Sequence, residues 1–97
     1  MYVSVRCYEV DPDSVDEIME RAQKGYMPIV SKAPGFIAYY VLDAGDGGVA
    51  TISVFQSQAQ MEESSRTAAD WVKENLAPFF PNPPQVTSGE VRAYKAA

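Results

Sequence analysis

The chain predicts an α+β domain of βαββαβ order, in which an antiparallel four-stranded sheet carries two helices on one face. Three observations lead there. Residues 34–56 read as two strands joined by a glycine-rich loop; stretches with apolar residues at helical spacing flank that pair on both sides; and strand-like alternation occurs at each end of the chain. At 97 residues this is a single domain spanning 1–97, small enough that burial against a second copy would help to stabilise it.

Residues 2–9 alternate Val3, Val5 and Cys7 with Tyr2, Ser4, Arg6 and Tyr8, the period of a half-buried strand. Asp11, Pro12, Asp13 and Ser14 then supply helix-starting chemistry, since a side-chain oxygen accepts from orphan amides and proline is tolerated in the first turn. Val15, Ile18, Met19 and Ala22 fall on one helical face, and the pattern continues through Tyr26, Ile29 and Val30. Gly25 and Pro28 interrupt it. Pro28 cannot donate to the carbonyl four residues earlier, so a kink or restart is expected at residues 25–28, where a bend would hold open a cavity or simply follow the twist of the sheet.

In the central pair, residues 36–42 are apolar or tyrosine throughout and expect cover on both faces. In residues 49–55, Ala50, Ile52 and Val54 make a purely aliphatic face opposite Val49, Thr51, Ser53 and Phe55. The intervening residues 43–48 read as a hairpin turn, because glycine supplies positive φ and aspartate bonds to nearby amides; the ligand spacing of a calcium loop is missing.

Ser57 followed by Gln60 matches a capping box, so a second helix is expected to run to about residue 75 with Met61, Ser65, Ala68, Val72 and Leu76 inward and Trp71 beside them. Ser64, Ser65, Ala68 and Ala69 make that helix small-sided, which permits close packing or leaves room for a ligand. The proline-dense residues 76–84 form a crossing connection that brings Phe79 and Phe80 to the core. Residues 85–94 alternate as a last strand. Together the elements describe a ferredoxin-like sandwich.

Composition narrows the chemistry. Eight basic against 13 acidic residues leave a net charge of −5, which argues against nucleic acid and against anionic membrane surfaces as partners. Nothing resembles a leader or a membrane span, and a cytoplasmic location is expected. The single cysteine, Cys7, reads as a small buried hydrophobe. With no histidine in the chain, Ser-His-Asp and Cys-His nucleophiles and the commonest zinc ligand are missing, and no metal site is expected. The uncovered face of the sheet is expected to hold Tyr2, Ser4, Arg6 and Tyr8 of the first strand, Thr51, Ser53 and Phe55 of the third, and Glu90, Arg92 and Tyr94 of the last. That mixture is too aromatic to stay fully wet, so pairing with a second copy as a homodimer is expected.

The first strand, the helix ending at Pro34, Gly35 and Phe36, the Tyr39–Tyr40 strand, the strand running from Thr51 to Phe55 into Gln56 and Ser57, and the closing Gly89–Val91 strand resemble the antibiotic-biosynthesis-monooxygenase-like group of dimeric α+β barrels. The resemblance covers nearly the whole chain. It implies oxygenase activity without a cofactor on a phenolic or quinol compound. Trp71 resembles the second-helix tryptophan of the oxygenases, although Thr67 stands where their asparagine would be; the haem-ligating histidine of the haem-degrading branch has no counterpart.

A cofactor-free oxygenase must bind its substrate as an electron-rich anion within an apolar cavity. Arg6 or Arg92 would supply charge, Tyr39, Tyr40 and Asn75 hydrogen bonds, Trp71 a wall and Phe55 a substrate contact. Each has a plainer reading. The arginines would pair with Glu90, and the aromatics would pack the core. A noncatalytic homodimer that binds a small apolar ligand, or serves only as a structural partner, is the alternative.

Overall fold

The computed structural model describes residues 1–97. It contains β1 (Tyr2–Glu9), a 3-10 turn (Pro12–Ser14), α1 (Val15–Arg21), a π-helical turn (Ala22–Tyr26), α2 (Met27–Val30), β2 (Phe36–Gly45), β3 (Gly48–Phe55), α3 (Gln58–Asn75), a second 3-10 turn (Ala77–Phe79) and β4 (Gln85–Glu90). The strands form one antiparallel sheet in the order β2-β3-β1-β4, which is the ferredoxin-like arrangement. No helix is long and apolar enough to cross a membrane.

Local chemistry explains the joints. Asp46 and Gly47, with φ of 52° and 82°, make the two-residue turn between β2 and β3, positive at both positions as the twist of a hairpin demands. The Gly47 carbonyl accepts from the Val10 amide at 2.8 Å, and a Cβ on Gly47 would collide with the Val10 carbonyl, so the turn is sewn to the end of β1. Ser57 caps α3 by accepting from the Gln60 amide at 3.3 Å. The Gln60 side chain does not return to complete the box. It lies against Gly35, whose φ of 77° and lack of a Cβ leave room for it.

The expected restart is present, as a π-helical turn over Ala22–Tyr26 followed by α2 from Met27. Where Pro28 withholds a donor, the backbone widens into one π turn instead of breaking, and the Met27 amide reaches the Ala22 carbonyl. Ile18, Ala22, Tyr26 and Val30 are all buried by this continuous helical segment. They feed two clusters, one in which Ile18 meets Tyr8, Val49 and Leu76, and one in which Tyr26 and Val30 meet Phe55 and Met61.

The faces of the sheet are reversed from the sequence expectation. Register places Tyr2, Ser4, Arg6 and Tyr8 beside Phe55, Ser53, Thr51 and Val49, and Tyr8, Val49 and Phe55 belong to the clusters under the helices. The open face instead carries Val3, Val5 and Cys7 of β1, Ala50, Ile52 and Val54 of β3, and, past a bulge between Phe36 and Ala38, Ala38, Tyr40 and Leu42 of β2. Cys7 is therefore exposed, not buried. Alternation sorts side chains into two sets without saying which set the helices cover, and here they cover the more polar one. The last strand is also shorter than expected, ending at Glu90, so Arg92 and Tyr94 lie beyond the sheet.

Candidate functional site

The polar set has a reason to be inside. Between the sheet and the helices lies a cavity of about 40 Å³. Its floor is made by Arg6 and Tyr8 of β1, Tyr39 of β2 and Thr51 and Ser53 of β3; Tyr26 of the π turn and Ser64, Ser65, Ala68 and Trp71 of α3 close it from above. Trp71 reaches over the cavity because Gly25 has no side chain: a Cβ there would stand 2.7 Å from Cζ2 of the indole. The rings then form a continuous aromatic wall, with Tyr26 and Trp71 centroids 5.4 Å apart at 48° and Tyr26 and Tyr39 centroids 5.4 Å apart, edge to face at 65°.

Arg6 is the one charged residue lining the cavity. The ion pairs of the chain join Arg21 to Glu17, Lys24 to Glu20 and Arg66 to Glu63, all on exposed helix surfaces. Arg6 has no such partner. Its neighbour across the sheet is Val86, whereas Glu90 sits opposite Tyr2, so an Arg6–Glu90 pair does not form. Arg6 is thus a half-buried cation without a carboxylate partner at the edge of an apolar chamber, where its planar guanidinium is available to an anion.

The two phenols opposite it are held neutral. Burial pushes the Tyr39 hydroxyl well above the ordinary tyrosine value, with the nearby Tyr26 and Tyr8 adding to the shift and Thr51 and Arg6 opposing it. Burial likewise raises Tyr26, against the pull of Ser64 and Arg6. Both are protonated at neutral pH, as any tyrosine is, and burial keeps them so further into the alkaline range, with each hydroxyl able to donate a hydrogen bond. An unfolded chain releases these protons more readily, so their contribution is full below the ordinary value of 10.0 and is lost as pH rises past it. Tyr39→Phe is expected to flatten the fall of the thermal midpoint above pH 10.0; an unchanged alkaline slope would mean that the hydroxyl is wet.

Of the residues singled out from sequence, Arg6, Tyr39 and Trp71 come together on this cavity. Phe55 is fully buried behind it, edge-on to Phe36 at 5.9 Å. Tyr40 is on the open face and 53% exposed. Asn75 is exposed at the end of α3, its side chain donating to the Trp71 carbonyl at 2.8 Å while its backbone carbonyl accepts from Arg21 of α1 at 3.2 Å, and it does not line the cavity. Arg92 lies past the end of β4. Sequence reasoning did not single out Tyr26, Tyr8, Thr51, Ser53 or Ser64 as site residues. The signal for three of them was present, because Tyr8, Thr51 and Ser53 share the alternation of Arg6; the expected bend at residues 25–28 marked the position of Tyr26. No three metal-ligating side chains converge anywhere in the chain.

Fold and cavity together define a ferredoxin-like α+β domain with an aromatic chamber between its layers. A family model described as antibiotic biosynthesis monooxygenase matches residues 1–70, and the chain belongs to that family. Among solved structures it resembles a protein of unknown function from Nitrosomonas europaea at 17% identity, with 99% of this chain and 93% of the other covered and a TM-score of 0.79. A monooxygenase of Streptomyces coelicolor, solved with nanaomycin D, is similar at 20% identity, 99% and 91% coverage and a TM-score of 0.76. A haem degrader from Mycobacterium tuberculosis, solved with two haems in its active site, is similar at 16% identity, 99% and 100% coverage and a TM-score of 0.77. No curated protein matches the sequence.

Proposed function

We propose that this chain is a cofactor-independent monooxygenase that oxidises a small phenolic or quinol compound inside the cavity, working as a cytoplasmic homodimer. The observation that carries the reading is Arg6, an unpaired cation at the floor of a chamber walled by Trp71, Tyr26 and Tyr39. A phenolate bound there meets the guanidinium and two protonated hydroxyls, and stabilising that anion makes the ring electron-rich enough to give electrons to molecular oxygen. For a simple phenol the balance is one oxygen molecule per ring. One oxygen atom forms the new bond to carbon, the other leaves as water with the displaced ring hydrogen and the phenolic hydrogen, and the quinone formed is four electrons more oxidised.

The same-fold monooxygenase that holds nanaomycin D supports this reading by analogy. The haem degrader supports a different chemistry, but this chain has no histidine to ligate a haem iron. A single ring needs more space than the cavity of about 40 Å³ offers. An engineered apolar cavity that binds benzene measures roughly 150 Å³, so the walls, which include the small residues Ser64, Ser65 and Ala68, must give way on binding.

The homodimer rests on the aliphatic open face, where Val5, Ile52 and Tyr40 lie in one row across three strands. A contiguous apolar surface of this kind is stabilised by cover, and a second copy presents the same surface in self-complementary form.

One observation favours a noncatalytic binding module instead: no carboxylate or histidine lines the cavity to take the phenolic proton. Oxygen uptake separates the two readings. With a panel of naphthols and hydroquinones, the enzyme is expected to consume oxygen and to place one atom of labelled oxygen gas in the product. Saturable quenching of Trp71 fluorescence with no oxygen consumed would replace the enzyme by the binding module.

A further inference from the structure

The cavity is not sealed by the helices alone. Arg6, Tyr8, Val72 and Phe80 line both the cavity and an outer cleft of about 300 Å³ that opens beneath residues 81–84. Phe80 is the partition, its ring stacked on Tyr8 with centroids 4.5 Å apart and planes 21° from parallel. The segment that carries it is lightly tied. The Phe80 amide reaches the Ala77 carbonyl at 3.3 Å, and no backbone hydrogen bond holds Pro81, Asn82, Pro83 or Pro84. Packing of Phe79 and Phe80 is what keeps the segment down, so swinging one ring away from Tyr8 joins the two spaces at little backbone cost.

The charge of the cleft is also distinctive. Lys73 and Arg6 line it and no carboxylate does, although the chain carries a net charge of −5. Neither cation takes part in an ion pair. With Arg6 shared with the chamber, Lys73 is the cation that belongs to the cleft alone, and in an acidic protein it offers a local site for an anionic group beside a chamber for a ring.

We propose that this cleft is the outer half of the substrate site and that the substrate is an aromatic acid, whose ring passes Phe80 into the cavity while its carboxylate stays outside on Lys73. The proposal rests on the reading above that the cavity takes the ring. Lys73 touches only the substituent, so it sets which phenol is accepted and takes no part in the oxidation. Phe80 acts as the door.

The test is a titration of Trp71 fluorescence with a hydroxynaphthoate and the corresponding hydroxynaphthamide, which share ring and hydroxyl and differ in charge. The acid is expected to bind wild-type protein roughly fivefold more tightly, the scale of a solvent-accessible charge contact. Lys73→Gln should abolish that preference without changing amide affinity, and Phe80→Ala should speed association of both probes. Lys73 is exposed, and an unchanged melting curve will show that its variant is folded. Equal affinities in the wild type would overturn the outer subsite and leave the ring in the cavity. A preference that survives Lys73→Gln would overturn the role of Lys73, and no quenching by either probe would overturn both readings. The expected binding pattern without oxygen uptake would support the subsite and remove the oxygenase chemistry alone.

Discussion

Arg6→Gln is expected to lower kcat/KM for a phenolic substrate by about 10²- to 10³-fold, the usual effect of removing one preorganised group that stabilises developing negative charge. Glutamine keeps a polar side chain of similar reach but carries no charge. The loss should fall mainly on kcat if the anion forms after binding, and on KM if the phenolate is the form that binds. A second readout identifies the cause. A cation beside the bound phenol lowers its pKa, so removing it should displace the acidic limb of the pH–rate profile upward, towards the value of the free phenol. Stability should hold or rise, because Arg6 makes no ion pair whose loss would cost anything. An unchanged profile with unchanged turnover would remove Arg6 from the chemistry.

Ile52→Glu should convert the proposed homodimer to a folded monomer. Ile52 sits between Val5 of β1 and Tyr40 of β2, so a carboxylate there would be driven into the middle of the apolar contact. An unpaired buried charge costs several kcal/mol, enough to weaken association by at least ~10³-fold. Within one subunit the same side chain points away from the helices, so the fold tolerates it. Native mass spectrometry of the two proteins reads the outcome directly. A variant that remains dimeric, or a wild-type protein that is monomeric, would locate the interface elsewhere or abolish it.

The elements and their order were legible from residues alone, because turn and cap chemistry is local. Ser57 marks the start of α3 whatever lies above it, and glycine at position 47 is required by the turn itself. The orientation of the sheet was not legible. Val3, Val5, Ile52 and Val54 look like core by any hydropathy argument, yet they face away from the helices, while Ser4, Arg6, Thr51 and Ser53 lie beneath them. A rule that sends aliphatic side chains inward assumes one interior, and it misassigns a sheet with a polar-lined cavity on one face and an apolar surface on the other. The same reversal explains the candidate site. Arg6 and Tyr39 were chosen for their chemistry and share a chamber; Tyr40 is the next residue along the strand and faces the opposite way.

The widened turn between α1 and α2 has a geometric consequence. Ile18, Ala22, Tyr26 and Val30 repeat at a strict interval of four, whereas residues four apart on a regular α-helix drift by about 40° at each step. Over three steps such a drift would carry the last side chain well around the barrel of the helix. The π turn holds more residues per revolution and takes up part of that rotation, so it works as a phase corrector. It keeps Tyr26 aimed at the chamber and Val30 at the sheet in a helix that would otherwise have wound past them.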